Sequence, residues 1–347
     1  MELTTSIPIW KRVWDRLGVL GLVIIAVLVA ILISYTRNTQ VTTAVLSSTI
    51  RQSTPLVLGA LCGLIGERTG IINIGIEGQM LFAAFAGFLA NVYIGQLGIF
   101  PLGVTLFLAT LVGVVAGALL GLLLAFMSVT LKMDQIIGGT VINILAIGLT
   151  GYFYQVGLTT QGKLQPINLG PLADIPLIGP VLFNNPPITY ITLLLVVIVH
   201  YVLFYTRWGL RSRAVGEYPS AADTVGINVY FMRYANTTIA GGIAGLAGAF
   251  LTLEAVGSFE RLMTNGRGFV ALAVMIFGKW TPFGAWGAAL LFGFASAMQT
   301  QLQFAGNLAI PHQFIGMLPY VLTIVVLAGF VGRSRPPAAE GIPYEKE

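Results

Sequence analysis

Charged side chains are scarce in this sequence. Only 9% of its 347 residues are Asp, Glu, Lys or Arg, while 56% are hydrophobic. A soluble domain carries about 25% charged residues, so the composition excludes an ordinary water-soluble globule. Cysteine is nearly absent. Cys62 stands alone inside an apolar run, which excludes an intramolecular disulfide and any cysteine-based metal site. The two histidines, His200 and His312, are too few and too dispersed for a zinc or haem site. No Gly-x-x-x-x-Gly-Lys-Ser/Thr phosphate loop occurs, and no nucleophile–base–acid set can be assembled. The chain itself is therefore expected to be no enzyme and to bind no metal or cofactor.

What the sequence has in quantity is apolar runs. A bilayer core of about 30 Å needs roughly 20 helical residues. Ten segments are candidates: 17–35, 42–65, 71–91, 101–127, 136–156, 189–206, 235–256, 267–279, 283–303 and 314–332. The expected fold is all-α, a polytopic membrane protein of about ten transmembrane helices forming one transmembrane domain over 1–347. The eighth segment is too short to span as a straight helix and reads as half of a broken or re-entrant element, which survives only if protein covers its ends. Lys11, Arg12 and Arg16 before Leu17–Ser34 look like the start of a signal peptide, but no small-residue cleavage site follows, so an uncleaved first helix is expected.

The formal charge of +5 and the isoelectric point near 9.4 do not indicate nucleic acid, because the basic residues fall mostly in short loops between apolar runs. Ten crossings with both termini inside place 13 Lys and Arg in cytoplasmic segments and 5 outside, the asymmetry that orients membrane proteins. In that topology 157–187 is an extracytoplasmic loop rich in Pro and Gly, 207–234 a basic cytoplasmic loop of helical character, and 333–347 a cytoplasmic tail.

Glycine, at 42 residues, recurs at helical spacing in Gly113, Gly117 and Gly121 and again in Gly241 and Gly245. Small residues four apart let membrane helices approach closely, so tight packing inside one bundle is expected.

Two stretches concentrate the polar groups. Gly66-Glu-Arg-Thr-Gly-Ile-Ile-Asn-Ile-Gly-Ile-Glu-Gly78 sets Glu67, Arg68, Asn73 and Glu77 between apolar runs. A carboxylate facing lipid costs about 2.5 kcal/mol or more, so Asn73 and Glu77 should face the bundle interior. Four apart, they would share one face of a helix. They serve either an interhelical hydrogen-bond network or contact with a hydroxyl-rich or base-bearing solute. Asn143 is a second such candidate, and Gly266-Arg267-Gly268-Phe269 a third, with Phe269 either packing or stacking on a ring. Glu67 and Arg68 belong near the cytoplasmic turn, paired with each other or a neighbour. In the second stretch, 207–229, Pro219 suits a first helical turn and Gly226 a stop. Between them lies a helix of about two turns, either an amphipathic surface loop or a docking peg.

Glu217, Ala221, Ala222 and Gly226 resemble the coupling-helix signature of ABC importer permeases, and Pro219 and Asp223 lie within the same short helix. Gly66–Gly78 and Met263–Ala285 are similar to the corresponding stretches of the branched-chain amino acid/simple sugar/nucleoside permease family, nearest to nucleoside-type permeases. The likeness covers roughly 40–332. It implies an importer of two permeases, a separate ATPase holding ATP and Mg, and an extracytoplasmic substrate-binding lipoprotein. It favours a different, homologous second permease and nucleosides or a simple sugar as solute. An ion-coupled secondary transporter is the alternative, favoured by Glu77 and the short eighth segment and opposed by the docking loop.

Overall fold

The computed structural model describes residues 29, 31–305, 311–317, 321 and 335–346. Apolar runs 17–35 and 314–332 lie largely outside these residues, as do Lys11, Arg12, Arg16 and Arg333. Nearly all of the regular structure is helical. The only strands among the described residues are β1 (Ile167–Asn168) and β2 (Asn184–Asn185), paired antiparallel with Ile167 opposite Asn185.

Runs two to nine each become a helix. They are α1 (Thr39–Glu67), α2 (Ile76–Gln96), α3 (Leu102–Ala125), α4 (Gln135–Phe153), α6 (Pro187–Tyr205), α9 (Val229–Ala249), α10 (Arg267–Phe277) and α11 (Pro282–Ala305). α3 and α9 continue through wider π-turns to Thr130 and Val256. Between them lie one 3-10 turn, Gly170–Leu172, and three short α-helices, α5 (Ile178–Leu182), α7 (Arg207–Glu217) and α8 (Pro219–Thr224). A last one, α12 (His312–Gly316), follows α11. Among the described residues, five helices are long and apolar enough to cross a membrane: Ile76–Gln96, Leu102–Thr130, Gln135–Phe153, Pro187–Tyr205 and Val229–Val256. In hydrocarbon a helix satisfies its own backbone, and this is why apolar runs of such length take that form.

The core is built around α1. Its Leu56–Leu58, Ala60–Cys62, Leu64 and Ile65 are buried against α2, α9, α10 and α11. The closest pair is α3 with α9. A Cβ added at Gly117 would stand 2.5 Å from Gly245 Cα, and one at Gly241 would stand 2.5 Å from Gly117 O. Backbone therefore lies directly on backbone, as the glycine spacing predicts. By contrast, α4 turns Ile137, Ile144 and Tyr152 outward.

Candidate functional site

The chain does not pass straight from α1 into α2. After Glu67 it turns at Gly70, whose φ of +84° suits glycine, and Ile71–Asn73 run back beside α1 as non-helical, largely buried backbone. Such backbone inside a bundle is tolerated only when protein groups replace the missing helical partners. The surrounding polar side chains do this. Gln135 accepts from Ile72 N (2.6 Å) and donates to Gly70 O (3.4 Å). Asn143 donates to Ile74 O (3.1 Å) and accepts from Gly78 N (2.7 Å). Arg233 Nε donates to Thr69 O (3.2 Å). Asn73 is fully buried and donates to Gln79 Oε1 (3.0 Å) and Cys62 Sγ (3.4 Å).

The expected shared face of Asn73 and Glu77 does not form. α2 begins only at Ile76, so Asn73 precedes the helix and the two side chains serve different partners. Glu77 reaches α10. One carboxylate oxygen accepts from Gly266 N (2.7 Å), the other from Gly268 N (2.6 Å). The carboxylate thus caps the positive end of a helix that is too short to cross a bilayer. Arg267, between these glycines, is partly buried, donates to Met263 O (2.9 Å) and feels the Glu77 charge. Phe269 is 49% exposed.

At the far end of α10 the chain returns to the turn after α1. Trp280 Nε1 donates to Glu67 Oε2 (2.5 Å), and Arg68 donates to Trp280 O (2.8 Å through Nη2). Glu67 and Arg68 are thus linked through one tryptophan. Burial, then the neighbouring Arg213 charge, lowers the pKa of Arg68 below its ordinary value. Arg68 and Arg213 lie over the Phe204 ring, at 5.7 and 5.2 Å.

The basic stretch after α6 sits on this turn. Thr206 caps α7 through Gly209 N. Trp208 Nε1 and Ser212 Oγ donate to Asn236 Oδ1 of α9 (3.1 and 3.4 Å). Gly216 lies against the backbone of Arg68 and 3.4 Å, measured from an added Cβ, from Gly70 N. α8 then starts at Pro219 and stops before Gly226, at φ +83°. Ala222 faces inward and is 3% exposed, whereas Glu217, Ala221 and Gly226 are exposed and Pro219 and Asp223 half-buried. Three large apolar side chains point away from the bundle: Leu210, Tyr218 and Val225, at 62, 67 and 74% exposure.

At the opposite end of α1, some 15 residues or about 22 Å of helix from Glu67, a cavity of about 900 Å³ opens. Arg51, Gln52, Lys163, Glu254, Asn265 and Arg267 are among its lining. A second cavity of about 380 Å³ adjoins it and shares Gln52, Asn265 and Arg267, adding Ser296, Gln299 and Thr300. The side chains of Gln52 and Asn265 have no hydrogen-bonding partner among the described residues. Of Asn73, Glu77, Asn143, Arg267 and Phe269, only Arg267 is among the residues lining these two cavities. Glu77 and Asn143 instead hold backbone, and Asn73 bonds the side chains of Gln79 and Cys62. Gln79 accepts from Asn73, and Glu254 accepts from Ile188 N (2.7 Å) and Thr189 N (3.2 Å) at the start of α6, a contact with no signal in the local sequence.

Residues 45–327 match the family described as branched-chain amino acid transport system, permease component. The guanosine ABC transporter permease protein NupQ of Bacillus subtilis is 40% identical over 88% of this chain and 98% of its own length. The nucleoside ABC transporter permease protein NupC of Lactococcus lactis is 40% identical over 85% of this chain and 94% of its own. A second guanosine permease protein of Bacillus subtilis, NupP, is 31% identical over 71% of this chain and 70% of its own. With most of its length matched in this way, the chain is a multi-pass membrane transport subunit and belongs to the branched-chain amino acid transport system permease component family.

Proposed function

We propose that this chain is one permease subunit of an ATP-driven importer of nucleosides, and that α7–α8 is the surface on which a separate ATPase docks. The observation that carries the docking reading is the seating of α7–α8. Its inner side presses on the turn after α1 through Gly216, while Leu210, Tyr218 and Val225 stand exposed on a basic stretch. Exposed apolar groups rimmed by polar ones mark a protein partner surface. Glu217, Pro219, Ala221, Ala222, Asp223 and Gly226 form or flank the docking helix. The sequence has no Gly-x-x-x-x-Gly-Lys-Ser/Thr loop, which supports assigning ATP and Mg to the ATPase.

In this reading the chain crosses the membrane ten times with both ends inside, which agrees with the distribution of Lys and Arg. The cavity of about 900 Å³ then faces outward, where a substrate-binding lipoprotein delivers solute. The second permease is a homologous chain, as the presence of both NupP and NupQ in one organism suggests. Gln52, Asn265 and Arg267 line the translocation path, offering donors and acceptors to hydroxyls and base edges. Phe269, exposed on the same helix, offers a ring face. Asn73, Glu77 and Asn143 frame the path rather than touch solute. ATP-driven displacement of α8 passes through Gly216 to Arg68, through the Trp280 contacts to α10, and so to Arg267 at the cavity.

Two measurements test this. Val225→Asp places a charge on the exposed apolar side of α7–α8 and is expected to abolish ATP-dependent uptake and reduce co-purification of the ATPase. Retained uptake with the ATPase bound overturns the docking reading. Competition of labelled nucleoside uptake by unlabelled nucleosides, ribose and branched-chain amino acids tests the solute. Nucleosides should compete most strongly, and uptake without any ATPase subunit would instead indicate an ion-coupled transporter.

A further inference from the structure

Segment 335–346 has no regular helix or strand, yet it is firmly seated. Ala339 and Tyr344 are 6 and 7% exposed. Its contacts reach four separate stretches of chain. Gly341 N donates to Gly70 O (3.1 Å), and Arg233, from the start of α9, donates through Nη1 to Ile342 O (3.0 Å). Ala339 N donates to Gly216 O (2.9 Å), and Ala338 N to the Glu217 carboxylate (3.3 Å). Lys346 pairs with Asp223 (3.4 Å), and Glu345 with Lys132 in the turn before α4 (2.5 Å). Tyr344 packs with Val215, Ala222, Val229 and Met232.

We propose that segment 335–346 is a positioning strap that joins α7–α8, the turn after α1 and the start of α9 into one rigid block. α8 has six residues, far below the length at which an isolated helix is stable in water. It is followed by a turn at Gly226. Left to itself, such a helix would yield at that turn when pushed. The strap closes the other side. Glu217, the last residue of α7, and Asp223, near the end of α8, are both held by it, and Tyr344 covers Ala222. A push on α8 is then delivered to Thr69–Gly70 and to Arg233 rather than absorbed locally. This role rests on the reading of α8 as the ATPase contact.

The test uses the complete complex of both permeases, ATPase and binding lipoprotein in proteoliposomes, reading bound ATPase, ATP hydrolysed and nucleoside imported. Ending the chain after Arg335 is expected to leave the ATPase bound and hydrolysis running. Import per ATP should fall by at least about fivefold, the low end of typical coupling between sites. An unchanged ratio overturns the strap. Should the shortened chain fail to accumulate, Tyr344→Ser in the full chain reads the same ratio, and wild-type coupling there is equally fatal. Fastening Lys132→Cys to Glu345→Cys with a short bifunctional thiol reagent should leave import within about twofold of the unbridged protein, because a rigid block need not open. A reversible block of import on bridging overturns the proposal. These outcomes are separate from Val225→Asp, which tests the docking of the ATPase on the exposed side of α7–α8, away from the strap.

Discussion

A single carboxylate decides whether the short helix α10 can begin inside the bundle. Its first N–H groups have no helical partners, and Glu77 takes two of them, at Gly266 and Gly268. Gly268 is also required by space, since a Cβ there would stand 2.5 Å from Glu77 Cα. Glutamine at 77 keeps the size but turns one acceptor into a donor, so one N–H loses its bond. Glu77→Gln should cost about 1–3 kcal/mol, leave the permease assembled, and change uptake kinetics because Arg267 moves with the helix start. Thermal unfolding in detergent and initial uptake rates check both parts, and wild-type values in both would remove the cap from the mechanism.

At the scale of elements, the α3–α9 seam determines how the bundle is built. Its glycines face one another so closely that a methyl group has no room at Gly241, whereas Gly242, on the adjacent face, would place a Cβ 3.6 Å from Val114, an ordinary contact. Gly241→Ala should therefore lower stability by about 1–3 kcal/mol. Gly242→Ala should be neutral or slightly stabilising, since alanine is the better helix former by about 1 kcal/mol. Fluorescence-detected gel filtration after a heating series separates the two. Equal behaviour would mean the helices are not in backbone contact.

That seam was legible in the sequence because spacing by four is a local pattern. The same holds for α8, bounded by Pro219 and Gly226, and for the shortness of α10. Asn73 precedes the helix, and the hydrophobic run from Ile71 does not reveal the non-helical backbone before Ile76. That conformation depends on Gln135 and Asn143, more than 60 residues away in sequence. The capping of α6 by Glu254 and the docking of 335–346 were equally hidden. Each rests on partners distant in sequence, whose meeting is a property of the packed bundle rather than of any window of chain.

For the whole molecule, the strap makes one end of the bundle sensitive to proton concentration. Burial raises the pKa of Glu340 above its ordinary value of 4.5, while the neighbouring Glu67 side chain opposes the rise. Trp280 Nε1 also faces this pair through Glu67. A carboxyl with a raised pKa in the docked state supports docking fully below its undocked pKa and loses that support as pH rises through the docked value. The seating of 335–346 should therefore loosen as pH rises, and Glu340→Gln should flatten the response. Anisotropy of a fluorophore on Lys346→Cys across about pH 5 to 9 measures it, and a flat wild-type profile would remove the carboxyl from docking.

Cys62, the single cysteine of the chain, is fully buried and in contact with Asn73. A thiol reagent can reach it only when α1 and the stretch after it come apart. Nature has thus supplied a built-in clock: the rate at which an added maleimide consumes this thiol counts the openings of that contact, in the unaltered protein and during turnover. A block that travels as a unit should keep the clock slow while solute is moving.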